Sequence, residues 1–167
     1  MDVAVVDIED SAALHEACAR FHPQACVHFA ARSLVGESMR EPLAYLRSNV
    51  AGGINLANAL VDSGCGSLVF SSTAATYGVP GSVPVTESAP QQPINPYGLS
   101  KLLFEMVMDE MARQGLMRCL SLRYFNAAGA DVANDLGEHH RPETHLIPRV
   151  IAAALGCEPA AFIYGAD

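Results

Sequence analysis

The chain has 167 residues, of which 50% are hydrophobic and 17% charged, with a formal net charge of -8 at pH 7. This length can bury a substantial core, and the composition is that of a globular protein with no apolar run of about 20 residues to cross a bilayer. The acidic balance argues against nucleic acid as a partner. The first residues do not resemble a secretory leader, and the five cysteines form no close pairs, so we expect a cytoplasmic protein with reduced thiols.

Alternating apolar runs predict a parallel α/β fold. Residues 3–8 form a β-branched run that predicts a strand, and residues 9–11 offer capping groups for a helix that reaches Phe21. The later segments predict, in order, a strand at 25–29, a helix at 43–61, a strand at 68–70, a helix at 97–114, a strand at 119–124 and a helix at 146–155. This order predicts a parallel sheet covered on both faces, with ligands at the carboxyl ends of its strands.

Tyr97 and Lys101 are four residues apart at the start of a predicted helix, which places the phenol and the ammonium on one face. A nearby positive charge stabilises phenolate and lowers the pKa of a tyrosine, so Tyr97 is a candidate base. Thr73 ends a predicted strand and could pass a proton between a substrate hydroxyl and the phenol. Together the three side chains predict a proton relay for the oxidation of an alcohol.

Each signal also has a simpler interpretation. A tyrosine and a lysine at this spacing are more often a half-buried ring and a solvated charge, and Ser71-Ser72-Thr73 lacks the GxSxG elbow of a serine hydrolase. Asp7 is either a strand-ending acid or a partner for an adenine amino group. One loop contains five possible metal ligands, Glu138, His139, His140, Glu143 and His145. They lack the HExxH spacing of a zinc site, and we predict no metal there.

Several short motifs follow one another along nearly the whole chain. They are Val27-His28-Phe29-Ala30-Ala31, Val35-Gly36-Glu37-Ser38, Asn49-Val50, Phe70-Ser71-Ser72-Thr73 with Tyr77-Gly78, Asn95-Pro96-Tyr97-Gly98 with Ser100-Lys101, Leu122-Arg123-Tyr124-Phe125-Asn126-Ala127-Ala128-Gly129-Ala130 and Glu143-Thr144-His145-Leu146-Ile147-Pro148. This ordered set resembles the UDP-glucose 4-epimerase family of the extended short-chain dehydrogenase/reductase superfamily. The resemblance implies an NAD-dependent isomerase that interconverts UDP-galactose and UDP-glucose, as a cytoplasmic homodimer.

The resemblance implies a partial Rossmann-like, doubly wound parallel sheet in residues 1–130 and the start of a substrate-binding portion in residues 131–167. It also implies that this sequence lacks the first βαβ unit, with its glycine-rich turn, and most of the substrate domain. Two alternatives remain: another nucleotide-sugar epimerase or dehydratase, and a catalytically silent fragment. Dehydratases of this framework usually carry an acidic pair after the strand-end threonine, where this chain has Ala74-Ala75.

The resemblance further implies roles for individual residues. Tyr97 would take the proton of the sugar 4-hydroxyl while hydride passes from C4 to NAD, Lys101 would lower the pKa of that phenol and hold the nicotinamide ribose, and Thr73 would bridge hydroxyl and phenol. Positions that match cofactor contacts are Asp7, Ile8, Phe29, Ala30, Ala31, Asn49, Ser71, Tyr97, Lys101, Tyr124 and Phe125. Positions that match UDP-sugar contacts are Thr73, Asn126, His145, Leu146, Phe162 and Tyr164. Ser33 stands where some members have a cofactor-binding lysine.

Overall fold

The structure, a computed structural model, describes residues 2–141 and 143–162. Its helices and strands are α1 (Ser11–Phe21), β1 (Cys26–His28), α2 (Val35–Ser38), α3 (Pro42–Tyr45), a π-helical turn (Leu46–Ala51), α4 (Gly52–Asp62), β2 (Ser67–Thr73), a 3-10 turn (Ala74–Thr76), α5 (Pro96–Arg113), β3 (Arg118–Tyr124), a second 3-10 turn (Val132–Asn134) and α6 (Leu146–Ala154). The chain forms two compact units, Met1–Phe125 and Asn126–Asp167. Among the described residues, no helix combines the length and the apolar character needed to cross a membrane.

The first unit is built on a three-stranded sheet in the order β1-β2-β3, and both strand pairs are parallel. In the register of the second pair, Ser71 lies opposite Leu122 and Thr73 opposite Tyr124. All three strands therefore end at the same edge of the sheet. The predicted parallel α/β class is confirmed.

The core lies on one face of this sheet. Leu14 of α1, Leu60 of α4 and Phe104 of α5 belong to a single buried cluster with Phe70 of β2. The opposite face is open, and Leu120 is 55% exposed there. The expectation of helices on both faces is therefore wrong for the described residues, because α1, α4 and α5 all pack on the same side.

The predicted strand at residues 3–8 is also wrong, since residues 2–7 have no regular secondary structure. A strand is defined by hydrogen bonds to a neighbouring strand, and in the described sheet β1 pairs only with β2. Val5 is 99% exposed, whereas Ile8 packs against the core. The helix that follows begins as predicted, because the Asp10 carboxylate accepts a hydrogen bond from the Ala13 amide at 3.0 Å.

The predicted long helix at residues 43–61 is present as α3, the π-helical turn and α4, which follow one another without a gap. Gly53 does not break this run. A Cβ atom at Gly53 would lie 2.6 Å from the buried ring of Phe104. Glycine at this position therefore allows α4 to approach α5 closely.

Candidate active site

The end of β2 and the start of α5 are held directly against each other. The Asn95 side chain accepts a hydrogen bond from the Gly98 amide at 2.8 Å, and Pro96 occupies the first helical turn, where its fixed φ suits a helix. A Cβ atom at Gly98 would lie 2.5 Å from the carbonyl oxygen of Ala75. This close approach places Tyr97, in the first turn of α5, beside the strand end.

Lys101 is a buried cation that points at the same strand end. It is 3% exposed, and its Nζ donates a hydrogen bond to the Ser71 carbonyl oxygen at 2.8 Å. The Nζ atom also lies 4.7 Å from the ring centroid of Phe70 and 5.9 Å from that of Tyr97. Burial lowers the pKa of Lys101 to about 8 because an apolar environment disfavours the charged form.

Two effects act on the pKa of the Tyr97 phenol in opposite directions. Burial raises its pKa, and a hydrogen bond with the Thr73 side chain acts to lower it. The net direction is upward, opposite to the sequence-based expectation that Lys101 lowers this pKa. The physical reason is that removal from water outweighs the polar neighbours, and the ammonium is engaged with the Ser71 carbonyl. The structure thus brings together Thr73, Tyr97 and Lys101, as predicted from the sequence.

Asn49 lies in the π-helical turn and is 2% exposed. Its side-chain oxygen accepts from the Arg32 amide at 2.8 Å, and its nitrogen donates to the Arg32 carbonyl at 3.0 Å and to Ser100 Oγ at 2.9 Å. Ser100 Oγ donates in turn to the Tyr97 carbonyl. Asn49 therefore joins the loop after β1 to the first turn of α5, and π-helical turns of this kind are frequent at functional sites.

A polar network behind the three predicted residues was missed by the sequence analysis. Glu105 of α5 accepts hydrogen bonds from Ser72 Oγ, Arg123 and Gln91. Arg123 also donates to the Tyr77 hydroxyl at 2.8 Å. The available signal was the spacing of Glu105, which follows Lys101 by four residues and so extends a polar row along a buried face of α5.

The other predicted cofactor positions of the first unit are distributed around the strand ends. Phe29 directly follows β1 and is 67% exposed, with Ala30 and Ala31 next in the chain. Tyr124 ends β3, and Phe125 follows it with 64% exposure. These positions lie after the carboxyl ends of β1 and β3, where ligands of open α/β sheets bind.

Two further features of the first unit bear on ligand binding. Asp7 and Ile8 precede α1, and the Asp7 carboxylate accepts a hydrogen bond from the Glu9 amide at 2.9 Å. A cavity of about 600 Å³ lies against β3 and is bounded by Tyr77, Glu87 and Phe125, among others. Its volume is within the usual range for small-molecule sites.

The predicted sugar-binding positions Asn126, His145, Leu146 and Phe162 belong to the second unit. Leu146 and Phe162 line a cavity of about 160 Å³ together with Thr144, Arg149 and Ala161. Tyr164 lies outside the described residues.

The histidine- and glutamate-rich loop is more closely grouped than its spacing indicates. One ligand atom from each of Glu138, His140, Glu143 and His145 lies within 4.8 Å of the others. His145 Nδ1 contacts the Glu138 carboxylate, and Glu143 Oε1 accepts from the amides of residues 144 and 145, both at 2.8 Å. These backbone hydrogen bonds, that of the His145 amide first, lower the pKa of Glu143. The loop thus has internal hydrogen bonds that account for its shape, and the absence of a metal here stays a prediction.

Comparison with known proteins places this arrangement in a family. Residues 2–165 match the NAD dependent epimerase/dehydratase family. The UDP-glucose 4-epimerase of Rhizobium leguminosarum bv. trifolii is 47% identical over 161 residues, which cover 96% of this chain and 49% of that protein. The chain spans about half the length of the curated relatives it matches.

Solved structures agree with this result. The crystal structure of UDP-glucose 4-epimerase from Brucella ovis in complex with NAD superimposes with a TM-score of 0.91 at 45% identity, covering 98% of this chain and 50% of that one. The Bifidobacterium longum enzyme in complex with NAD+ and UDP gives a TM-score of 0.83 at 32% identity, covering 92% and 47%. With a family match over nearly its whole length and a YxxxK pair in the first turns of α5, beside the end of β2, this chain belongs to the NAD dependent epimerase/dehydratase family.

Proposed function

We propose that this chain takes part in NAD-dependent epimerisation at C4 of a UDP-hexose, interconverting UDP-galactose and UDP-glucose through a transient 4-keto sugar. The observation that carries the proposal is the placement of Tyr97 and Lys101 on one face of α5 against the end of β2, where Thr73 meets the phenol. The relatives named UDP-glucose 4-epimerase, and the solved structures with NAD, support it.

The residues present fit the ribose and nicotinamide half of NAD. The Lys101 ammonium has three N–H donors, and among the described residues it donates one hydrogen bond, to Ser71. Hydroxyl oxygens of a ribose are suitable acceptors for the others. Phe29, Ala30 and Ala31 would lie on the phosphate and ribose side of the cofactor, where the small side chains of the two alanines leave room for it. Tyr124 and Phe125 would offer aromatic surface to the nicotinamide ring.

In the proposed reaction Tyr97 Oη accepts the proton of the 4-hydroxyl, directly or through Thr73 Oγ1, and returns it at the end of the cycle. When bound, NAD would supply reversible hydride acceptance at C4 of the sugar, and Lys101 and Tyr124 are among the residues that would hold it. Lys101 would hold the nicotinamide ribose beside the phenol, since its Nζ lies 5.9 Å from the centroid of the Tyr97 ring. The UDP-sugar would be held by Asn126, His145, Leu146, Phe162 and Tyr164.

The direct test is product formation from UDP-galactose in the presence of NAD, followed by NMR. We expect UDP-glucose to form and the Tyr97→Phe variant to lose activity by at least about 100-fold, the contribution typical of a general base. Tyr45→Phe is the matched control for loss of a neighbouring tyrosine hydroxyl: the Tyr45 ring packs edge-on against that of Tyr97, but its hydroxyl is bonded to Leu34 and Glu37 rather than to the strand end. Equal activity of the Tyr97→Phe variant and the unmodified chain would refute the role of Tyr97.

A second possibility follows from the length of the chain, because a piece that spans half of its relatives could be catalytically silent. Calorimetric titration of NAD into the 167-residue chain separates the two cases. Saturable binding that weakens in Lys101→Met supports an assembled cofactor site. Absence of NAD binding would identify the 167-residue chain as a catalytically silent fragment.

We further infer that the protein acts in the cytoplasm as a homodimer and does not bind nucleic acid. The net charge of -8 and the absence of clustered basic residues in the sequence support the last point, and the family resemblance motivates the other two. Sedimentation with and without added DNA tests the homodimer and the absence of nucleic-acid binding. A concentration-independent monomer, or a shift with DNA, would contradict them.

A further inference from the structure

Glu105 is a buried carboxylate, 3% exposed, that lies one helical turn beyond Lys101 and two turns beyond Tyr97 on α5. It does not touch either side chain in the hydrogen-bond network. Its Oε1 accepts from Ser72 Oγ of β2, and its Oε2 accepts from Gln91 Nε2 at 3.0 Å. Arg123 of β3 contacts both oxygens, with its Nη2 2.7 Å from Oε2. One side chain therefore joins two strands and the connection before α5.

The network extends from Arg123 into the long connection between β2 and α5. Arg123 Nη1 donates to the Tyr77 hydroxyl at 2.8 Å and to the Glu87 carbonyl at 3.3 Å. Burial acts to raise the pKa of Glu105, but hydrogen bonds from Arg123, then Ser72 and Gln91, together bring it below its usual range. The carboxylate is thus ionised and its lone pairs are occupied by three partners.

Stability alone is a weak reason for such a network. A buried ion pair contributes little net stability, because both of its charges must leave water. Apolar side chains of similar volume often stabilise a core equally well. A buried pair with directional hydrogen bonds does, however, fix the positions of the elements it joins. The position of Ser72 is the informative detail, because it lies between Ser71, whose carbonyl accepts from Lys101, and Thr73, which meets Tyr97.

We propose that Glu105 is a positioning residue that clamps Ser72 and so holds the Ser71 carbonyl and the Thr73 hydroxyl in register with Lys101 and Tyr97. Through Arg123 and Gln91 the same carboxylate couples this register to the connection between β2 and α5. The proposal rests on the proposed roles of Tyr97 and Lys101 in proton transfer. Glu105 itself contacts neither substrate nor cofactor in this scheme.

Lys101 provides a direct readout because it is the only lysine in the sequence. A chain labelled with 13C-lysine gives one side-chain signal, whose pH titration reports the Lys101 pKa without NAD or sugar. In Glu105→Gln we expect this pKa to rise from about 8 toward the ordinary 10.5, because a loosened strand end admits water to Nζ. Loss of the Glu105 charge by itself would lower the pKa of a lysine, so the sign of the change separates the two effects.

Ser72→Ala is the second variant, because it removes the clamped hydroxyl and leaves the Glu105–Arg123 pair in place. We expect it to raise the Lys101 pKa in the same direction, and Glu105→Asp, which keeps the charge, to give a smaller rise than Glu105→Gln. Glu110→Gln is the matched control on the same helix, since Glu110 forms an exposed pair with Arg113. It should leave the titration unchanged.

An unchanged or lowered Lys101 pKa in both Glu105→Gln and Ser72→Ala would overturn the positioning role. Thermal unfolding of each variant, run in parallel, shows whether the titrated protein is folded. If Glu105→Gln has lost its folding transition, the titration of Ser72→Ala, which removes a single oxygen atom, decides the outcome alone. Because the titration uses no ligand, its outcome is independent of the epimerase assay. Where that assay gives product, we expect both variants to lower kcat more than they raise KM.

Discussion

The ammonium of Lys101 is 3% exposed, and its burial disfavours the charged form. We predict that Lys101→Met raises the free energy of unfolding at pH 7. The difference between a pKa of about 8 and the ordinary 10.5 corresponds to roughly 3 kcal/mol, and loss of the hydrogen bond to Ser71 offsets about 1 kcal/mol of this. The expected net gain is therefore roughly 2 kcal/mol. Urea unfolding at pH 7 measures it.

The pH dependence of this effect has a defined sign. Between about pH 8 and 10.5 the unfolded chain holds a proton on Lys101 that the folded chain has lost, so wild-type stability rises across this window. The advantage of Lys101→Met should consequently be largest below pH 8 and disappear by pH 10.5. Arg113→Met, which replaces an exposed cation on the same helix, should show no such window. A constant difference between Lys101→Met and wild type would contradict the prediction.

At the residue scale, Thr73, Tyr97 and Lys101 could be predicted from the sequence because local rules determine their placement. Helical periodicity sets the relation of Tyr97 to Lys101, and the end of an apolar run locates Thr73. Glu105 and Arg123 could not be assigned in this way, since their contact joins a helix to a strand. The upward shift of the Tyr97 pKa could not be predicted from the sequence either, because it depends on burial in the folded chain.

At the scale of elements, the contact between α4 and α5 depends on the absence of a side chain at Gly53. We predict that Gly53→Ala lowers the free energy of unfolding by roughly 1–3 kcal/mol, the usual effect of overpacking a core. The new Cβ would lie 2.6 Å from the ring of Phe104, which is fully buried. Denaturant unfolding of the purified variant provides the measurement.

Gly36→Ala is the control for this substitution. Gly36 lies in α2, and a Cβ atom there would have no neighbour within 4 Å. Alanine is intrinsically better than glycine in a helix by roughly 0.5–1 kcal/mol, so Gly36→Ala should stabilise the chain or leave it unchanged. Similar losses in the two variants would mean that packing against Phe104 is not the cause.

The loop before α6 gives a test of the predicted absence of metal. Glu138, His140, Glu143 and His145 are close together, but the loop already has its own hydrogen bonds. We expect dialysis against EDTA to leave the thermal midpoint unchanged and metal analysis of the purified chain to find less than one equivalent of zinc. A midpoint that falls with EDTA and recovers with zinc would assign a structural ion to these four residues.

Element types were largely predictable, and the exceptions have a common origin. The strands at β1, β2 and β3 and the helices α1, α5 and α6 follow from apolar periodicity and capping residues. The failure at residues 3–8 arose because a β-branched run requires a paired neighbour to become a strand. The uncovered sheet face could likewise not be predicted from local patterns, since these do not determine on which face of the sheet each connecting helix packs.

At the scale of the whole first unit, the open sheet face is an apolar surface in contact with water. It is formed by the outward side chains of the strands, including Val27, Leu120 and Leu122, which are 54%, 55% and 36% exposed. β1 and β3 also end the sheet with unpaired edges in the described fold. Exposed apolar patches and unpaired strand edges both favour association between copies. The purified 167-residue chain is therefore expected to self-associate as its concentration rises.

Sedimentation velocity at increasing protein concentration tests this expectation. Leu120→Lys should reduce association, because it places a charge at the centre of the open sheet face, where burial against a second copy would remove that charge from water. Val79→Lys is the matched control, since Val79 is 79% exposed in the connection after β2 and is not part of the sheet. If the Leu120→Lys and Val79→Lys variants associate to the same extent as wild type, contacts between copies do not involve this face, and the aromatic and apolar residues beyond the strand ends become the surface to examine.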